Sequence, residues 1–219
     1  MEDVLRLLYD NAHIWIFDKP AGIAVQGGHG VKESFDKIIE DNLYEKPYPV
    51  HRLDKETGGV LLVAKNSAAA AKFGRYFSRN KALKFYKAVV RGRFPKSMEI
   101  YEDITDSRGK PLRAHSSVFL EKHYGSFSLL KLQLHTGRMH QLRIHLQKKG
   151  YPIIGDNKYG DFTLNRRIKK ELGADNLMLY AGRLVIAEER IDITAEMPDY
   201  FKVFLKNAPI LKTEEQERR

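Results

Sequence analysis

Val60-Leu61-Leu62-Val63-Ala64 leaves a folded chain few options. Five consecutive apolar residues of strand length offer water no polar position, so the strand they form must be covered on both faces. That calls for a sheet with material on either side, and a chain of 219 residues, 42% of them hydrophobic, is long enough for one large core or two small lobes. Immediately upstream stands His51-Arg52-Leu53-Asp54-Lys55-Glu56-Thr57-Gly58, which puts an acid beside an imidazole and a guanidinium. Two readings of Asp54 are open at this point. Asp, Thr and Gly are what a loop before a strand usually contains, and an acid so placed is also a candidate for chemistry.

The remaining pattern predicts an α+β chain with a mostly antiparallel sheet, because short β-rich runs are separated by turns more often than by helices. Residues 4–9 and 14–17 read as a hairpin broken at Asp18-Lys19-Pro20-Ala21-Gly22. Gly27-Gly28-His29-Gly30 lacks the ending and spacing of a phosphate loop and is expected to be a mobile surface loop. Helices are expected over 33–43 and, capped by Asn66 or Ser67, over 68–78. Strands are expected over 83–90, 100–120 (a strand, a turn and a returning strand), 126–134 and 177–186, with a short helix over 199–205. In the strand at 83–90 the alternation sets Tyr86 on the face of Ala88 and Val90, core-facing, with a hydroxyl in need of a partner. No repeat or polar linker marks a boundary, so residues 1–207 are expected to be one domain and residues 208–219 a disordered charged tail.

From His135 the period changes from two to 3.6. Thr136 as cap and Gly150 as stop predict a helix of about three turns. Met139, Leu142 and Leu146 form its apolar stripe, with Arg143 at the edge. An arginine beside a buried stripe cannot shed its charge and needs a carboxylate or phosphate close by. His135, His140 and His145 are spaced by five rather than the four that align two imidazoles on a metal, so no metal site is expected among them.

Charge narrows the partner class. A net charge of +10 is unevenly spread, with no acid from Thr57 to Met98 against ten cations. A second basic cluster runs from Arg138 to Lys170, opposed only by Asp156 and Asp161. Segregation of this kind attracts a polyanion and favours nucleic acid over an ordinary solvated surface. The absence of cysteine excludes disulfides and thiolate chemistry and suits a reducing compartment. With no signal-like N-terminus and no apolar run of about 18 residues, a cytoplasmic, non-membrane protein is expected, and as a monomer.

Four blocks then resemble a known family, the RluA-type pseudouridine synthases, which isomerise uridine in structured RNA. They are Lys19-Pro20-Ala21-Gly22; His51-Arg52-Leu53-Asp54 with Thr57-Gly58-Gly59; Lys84-Phe85-Tyr86-Lys87-Ala88-Val89-Val90-Arg91-Gly92; and His135 through Gly160. The resemblance implies the pseudouridine synthase fold, a central mostly antiparallel sheet flanked by helices with a cleft between two subdomains, and a reaction without cofactor or metal. Residue by residue it makes Asp54 the catalytic aspartate, Tyr86 the active-site tyrosine and Arg143 the active-site arginine. Asp54 is then the obvious carboxylate for Arg143, and the pair would hold Asp54 ionised.

Arg52, Arg138, His140 and Gln141 are candidate substrate contacts, with His140 and Gln141 equally able to brace the site. Arg52 is suited to fill a vacated base stack or to clamp a phosphate. His51 reads as a structural imidazole bracing the loop. Two departures stand out: Thr57-Gly58-Gly59 replaces the family's Thr-Ser-Gly, putting a supporting hydroxyl in doubt, and Tyr180 stands where many relatives have histidine. The S4-like RNA-binding module that often precedes this fold is expected to be absent. The RNA is expected to be ribosomal or transfer RNA. A catalytically silent RNA-binding protein would need none of Asp54, Tyr86 and Arg143, and a basic protein-interaction domain would not need the polar octet.

Overall fold

The computed structural model describes residues 4–28 and 33–208. His29 and Gly30 of the glycine loop, and the expected tail apart from Ala208, lie outside the described residues. In chain order the strands and helices are β1 (Arg6–Asp10), β2 (Ile14–Lys19), α1 (Phe35–Leu43), β3 (Tyr48–Pro49), β4 (Gly58–Ala64), α2 (Ser67–Ser78), β5 (Leu83–Arg91), β6 (Ser97–Tyr101), β7 (Ile104–Thr105), β8 (Pro111–Leu112), β9 (His115–Tyr124), β10 (Phe127–Leu134), α3 (Gln141–Lys148), α4 (Phe162–Leu172), β11 (Leu179–Ile186), β12 (Ile191–Thr194) and α5 (Asp199–Asn207). The class is α+β, with a large, mostly antiparallel sheet. No described helix is long and apolar enough to cross a membrane.

The chain packs as two compact units, one built from residues through Lys84 with Tyr180–Glu196, the other from Phe85–Leu179 with the segment from Met197 on. The switch falls inside β5 and β11, where neither composition nor a linker announces it.

In the first unit the apolar run becomes β4, buried at every position. β2 lies antiparallel on one side of it and β11 parallel on the other, with β3 beside its far end. Ile14, Ile16, Val60, Leu62 and Leu184 pack with Ala69 and Phe73 of α2. Each such side chain contributes roughly 1.5–3 kcal/mol relative to exposure. Asn66 caps α2 by accepting from the Ala69 N–H at 2.9 Å. β1 and β2 form the expected hairpin, with β2 running on through Lys19.

In the second unit β5, β10, β9 and β6 lie side by side in that order, β9 antiparallel to both β10 and β6. β7 and β8 are a separate two-residue pair around Asp106, whose carboxylate accepts the N–H groups of Arg108 and Lys110.

α3 differs from expectation. It starts at Gln141, five residues after Thr136, and spans eight residues. His140 at its entrance is left-handed, with φ 54°, so the backbone turns there and the preceding segment is loop. Met139, placed on the apolar stripe by its spacing, is therefore 64% exposed, while Leu142 and Leu146 are buried. α4, which apolar spacing did not reveal, buries only Ile168 and carries much of the second basic cluster. Asp161 caps its start, accepting from the Leu164 N–H at 3.0 Å, and Gly173 ends it in the left-handed region.

Candidate active site

Asp54 is half-buried at the head of a tight turn, its carbonyl accepting the Thr57 N–H at 3.0 Å just before β4 begins. The strand-opening geometry is thus present, and the chain around it is anchored well beyond what a turn needs. Gly22 donates its N–H to the Lys55 carbonyl at 2.8 Å. The fully buried Lys19 ammonium donates to Pro20 O and Ile23 O at 2.7 Å each and reaches Lys55 O at 3.5 Å. Burial pushes Lys19 down to about 8, although Glu56 and Asp54 pull the other way. The Lys-Pro-Ala-Gly segment is therefore the floor under the Asp54 loop. Its signal in the sequence was a lysine continuing an apolar strand.

Glycine is required just beyond the turn. A Cβ on Gly59, at φ +112°, would stand 2.2 Å from Ala181 O, the residue it pairs with on β11. A Cβ on Gly58 would meet Lys19 O at 3.0 Å. Here the departure from Thr-Ser-Gly has a local counterpart, because the floor presses closely on position 58. The Thr57 hydroxyl is buried with no hydrogen-bond partner among the described residues.

His51 is the brace that its neighbours suggested. β3 pairs with β4 through Pro49 opposite Val63, and where β3 departs the His51 Nε2 accepts the Leu62 N–H at 3.0 Å. The ring also stacks on Phe77 at 4.2 Å. Burial first, then Lys84, holds its pKa down at about 3, so the neutral ring accepts on Nε2. Arg52 is exposed.

The second unit holds Tyr86, Arg138, His140, Gln141 and Arg143. Tyr86 on β5 is buried on the same parity as Ala88 and Val90, as the alternation required. Arg143 on α3 is buried and meets Asp156 as a two-pronged fork, Nε to Oδ2 at 2.8 Å and Nη2 to Oδ1 at 2.9 Å. Burial pushes the Asp156 carboxyl up, but Arg143 and the Tyr159 and Lys158 N–H groups outweigh it and hold it below its ordinary value. Within its own unit Asp156 thus gives Arg143 a carboxylate. In the sequence that residue stands out only as one of two acids opposing the second basic cluster. The missed signal was an acid almost alone in a basic stretch. Backbone geometry does explain its neighbour Gly155, where a Cβ would lie 2.0 Å from Asn176 O.

The loop before α3 is tied down from several sides. Gln141 is buried; its Oε1 accepts from the Thr136 hydroxyl at 2.7 Å and the Arg138 N–H at 3.1 Å, and its Nε2 donates to His115 O and the Ser116 hydroxyl. His140 Nδ1 lies 3.0 Å from the Tyr159 hydroxyl, and the Arg143 guanidinium sits 5.4 Å from the Tyr159 ring centre. Tyr159 is a further residue that the sequence did not single out. Arg138 is exposed and donates its Nε to Arg113 O at 3.1 Å. Of the three spaced histidines, His145 is turned inward to the Ser116 hydroxyl and Glu102 O, so the three do not converge.

The basic window is partly neutralised by acids remote in sequence. Lys65 meets Asp10, Lys72 Glu189, Lys81 Glu188, Lys87 Glu121 and Arg91 Asp161.

Comparison with known proteins gives a consistent result. A family model described as RNA pseudouridylate synthase matches residues 13–148. A Haemophilus ducreyi protein named tRNA pseudouridine synthase C is 34% identical over 209 residues, covering 82% of this chain and 84% of that protein. A Rickettsia typhi protein named ribosomal large subunit pseudouridine synthase C is 34% identical over 212 residues, covering 89% of this chain and 69% of that one. Among solved structures, human RNA pseudouridylate synthase domain containing 1 superposes with a TM-score of 0.74 at 25% identity, covering 89% of this chain and 84% of that one.

Proposed function

Because the chain belongs to the RNA pseudouridylate synthase family, we propose that it isomerises specific uridines to pseudouridine in ribosomal or transfer RNA, with Asp54 as the catalytic carboxylate and Tyr86 and Arg143 as the other two catalytic side chains. In this reaction the bond from N1 to C1′ breaks, the uracil turns, and a bond forms from C5 to C1′. The proton on C5 is lost and N1 regains one, so the atoms balance without oxidant, reductant or cofactor.

The observation that carries the reading is the anchoring of the Asp54 loop. Lys19 and Gly22 hold the carbonyl of Lys55, next to Asp54, and β4 behind it is wholly buried. A carboxylate so held serves by trapping or stabilising an electron-poor sugar, by removing a ribose proton, or by adding to the base. The Asp156 fork fixes the plane of the Arg143 guanidinium, which suits it to orient an anionic fragment. Tyr86 brings a hydroxyl on a buried strand face, fit to abut the base or to pass a proton.

The test is tritium release from RNA labelled at uridine C5, with Asp54→Asn beside the wild type. Release by the wild type and none by the variant is expected; release by both removes Asp54 from its role.

Reaching a stacked uridine requires extruding it at a cost of a few kcal/mol, roughly, less where the base is unpaired. Arg52, exposed two residues before Asp54, fills the vacated stack or clamps the adjacent phosphate, and Arg138 contributes a second exposed guanidinium. His140 and Gln141 shape the loop from which Arg138 projects. Arg52→Ala is expected to slow turnover on folded RNA more than on an unpaired strand, and equal losses would sink this role.

A further inference from the structure

Beside the loop before α3, three neighbouring strands bring a carboxylate and two imidazoles, none of them assigned above, to one point. Glu99 lies on β6, His115 opens β9 and His135 follows the last residue of β10. Pairing explains the convergence: Glu99 faces Ser117 and Tyr101 faces His115 across β6 and β9, and the His135 N–H donates to His115 O at 3.2 Å. Because alternate residues share a sheet face, Glu99, His115, Ser117 and His135 project together. One ligand atom from each of Glu99, His115 and His135 lies within 4.8 Å of the others.

We propose that Glu99, His115 and His135 form a binding site for one borderline transition-metal dication of the zinc, cobalt and nickel class. Two imidazoles and one carboxylate favour these ions over calcium or magnesium, which take oxygen donors. Three protein ligands leave a position for water. Glu99 is exposed and the two histidines half-buried, so an ion has a path in from solvent.

The arrangement without an ion is self-consistent. His115 Nε2 lies 2.6 Å from Glu99 Oε2, and the Ser117 hydroxyl bridges Glu99 Oε2 at 2.8 Å and His135 Nε2 at 2.7 Å. Ligands about 2.0–2.2 Å from a tetrahedral ion stand about 3.3 Å apart, so the close pair must spread. The Tyr101, His115 and His135 rings are stacked at 4.1 and 4.0 Å, the two imidazoles only 9° from parallel. Their in-plane lone pairs therefore do not yet converge. Turning His135, the end ring of the stack, about its χ2 brings its lone pair inward, and that torsion is a soft one, as is χ3 of Glu99.

The site is joined to the loop before α3, which gives the ion a consequence. The His115 N–H donates to the Thr136 hydroxyl at 3.0 Å and its carbonyl accepts from Gln141 Nε2 at 2.9 Å. A bound ion clamps β6, β9 and the segment leading to Arg138 and stiffens all three.

The experiment is titration of the metal-stripped full chain with Co2+, read by visible absorption, and with Zn2+, read by calorimetry. One saturable site is expected, with Co2+ bands of tetrahedral type. Glu99→Gln and His115→Ala should each weaken binding by at least about tenfold, while His13→Ala, an exposed histidine elsewhere, should not. Ser117→Ala keeps all three donors and should retain the site. Thermal melts establish that each variant is folded, and Zn2+ should raise the melting temperature of the wild type more than that of Glu99→Gln. Absence of a saturable site, or equal binding by wild type and folded Glu99→Gln and His115→Ala, overturns the proposal. None of these readouts depends on turnover.

Discussion

Asp156 and Arg143 are each buried, so neither charge has water to fall back on. Removing one partner of such a pair costs about 3–5 kcal/mol, because the other keeps its charge out of water and loses a two-pronged bond. Asp156→Asn is expected to lose stability on that scale in urea at neutral pH. The folded-state pKa of Asp156 lies below its unfolded value. Its contribution is therefore complete above the unfolded pKa, about 3.9, and fades as pH falls through the lower folded value. The gap between wild type and variant should close in acid, and a gap that persisted there would mean that the carboxylate's charge is not what matters. Lys19 has the opposite sense. Its folded pKa, about 8, is below the ordinary lysine value, so the unfolded chain binds more protons between the two. Stability relative to a Lys19→Met variant should rise from about pH 8 to about 10.5, measured by urea denaturation across that range. At this scale the need of Arg143 for a carboxylate was legible from its place beside apolar neighbours. That Asp156 is one such carboxylate was not, because pairing over thirteen positions is set by the course of the loop after α3.

Elements built on one strong signal were the readable ones. β4 had no polar position to misassign, and α2 had a capping asparagine before an alanine-rich turn. Where two signals competed, local patterning misled. Thr136 has the composition of a helix cap, yet its hydroxyl is spent on Gln141 and His115, and the left-handed His140 delays α3 to Gln141. α4 had charge without an apolar stripe and was invisible to periodicity. The parallel contact of β4 with β11 is likewise written in no local pattern, and its only trace is Gly59. Gly59→Ala combines a left-handed φ with a Cβ 2.2 Å from a backbone oxygen. It should cost several kcal/mol, roughly the upper range for single substitutions, and Gly58→Ala distinctly less, as thermal denaturation will show. Further along the same strand, His51→Gln keeps an acceptor for the Leu62 N–H but does not titrate. The wild-type histidine stays neutral in the fold down to about 3 while the unfolded chain protonates near its ordinary pKa. Stability should therefore fall between about pH 6.5 and 3 more steeply in the wild type than in His51→Gln. Equal slopes would mean that the ring is not held neutral.

For the whole molecule, the net charge of +10 overstates what is free to meet a polyanion. Lys65, Lys72, Lys81, Lys87 and Arg91 stand in the acid-free window of the sequence, but each is answered in space by a carboxylate from another segment. Exposed ion pairs of this kind add little to stability, about 0–1 kcal/mol each. Their larger effect is on the field, because a paired lysine gains less from a phosphate than an unpaired one and must first give up its partner. Arg79 and Arg93 are exposed and make no ion pair among the described residues. If RNA is drawn in by these cations, each phosphate contact releases counterions and contributes about 0.7 to 0.9 to the slope of log K against log salt. Arg79→Ala and Arg93→Ala should each weaken RNA binding and make that slope shallower by about such an increment. Lys72→Ala and Lys81→Ala should leave the slope nearly unchanged, since they remove cations already neutralised by Glu189 and Glu188. Filter binding of a structured RNA over a range of salt concentrations measures this directly. Equal changes from all four variants would mean that RNA displaces the internal pairs and that the sequence window acts as one continuous patch.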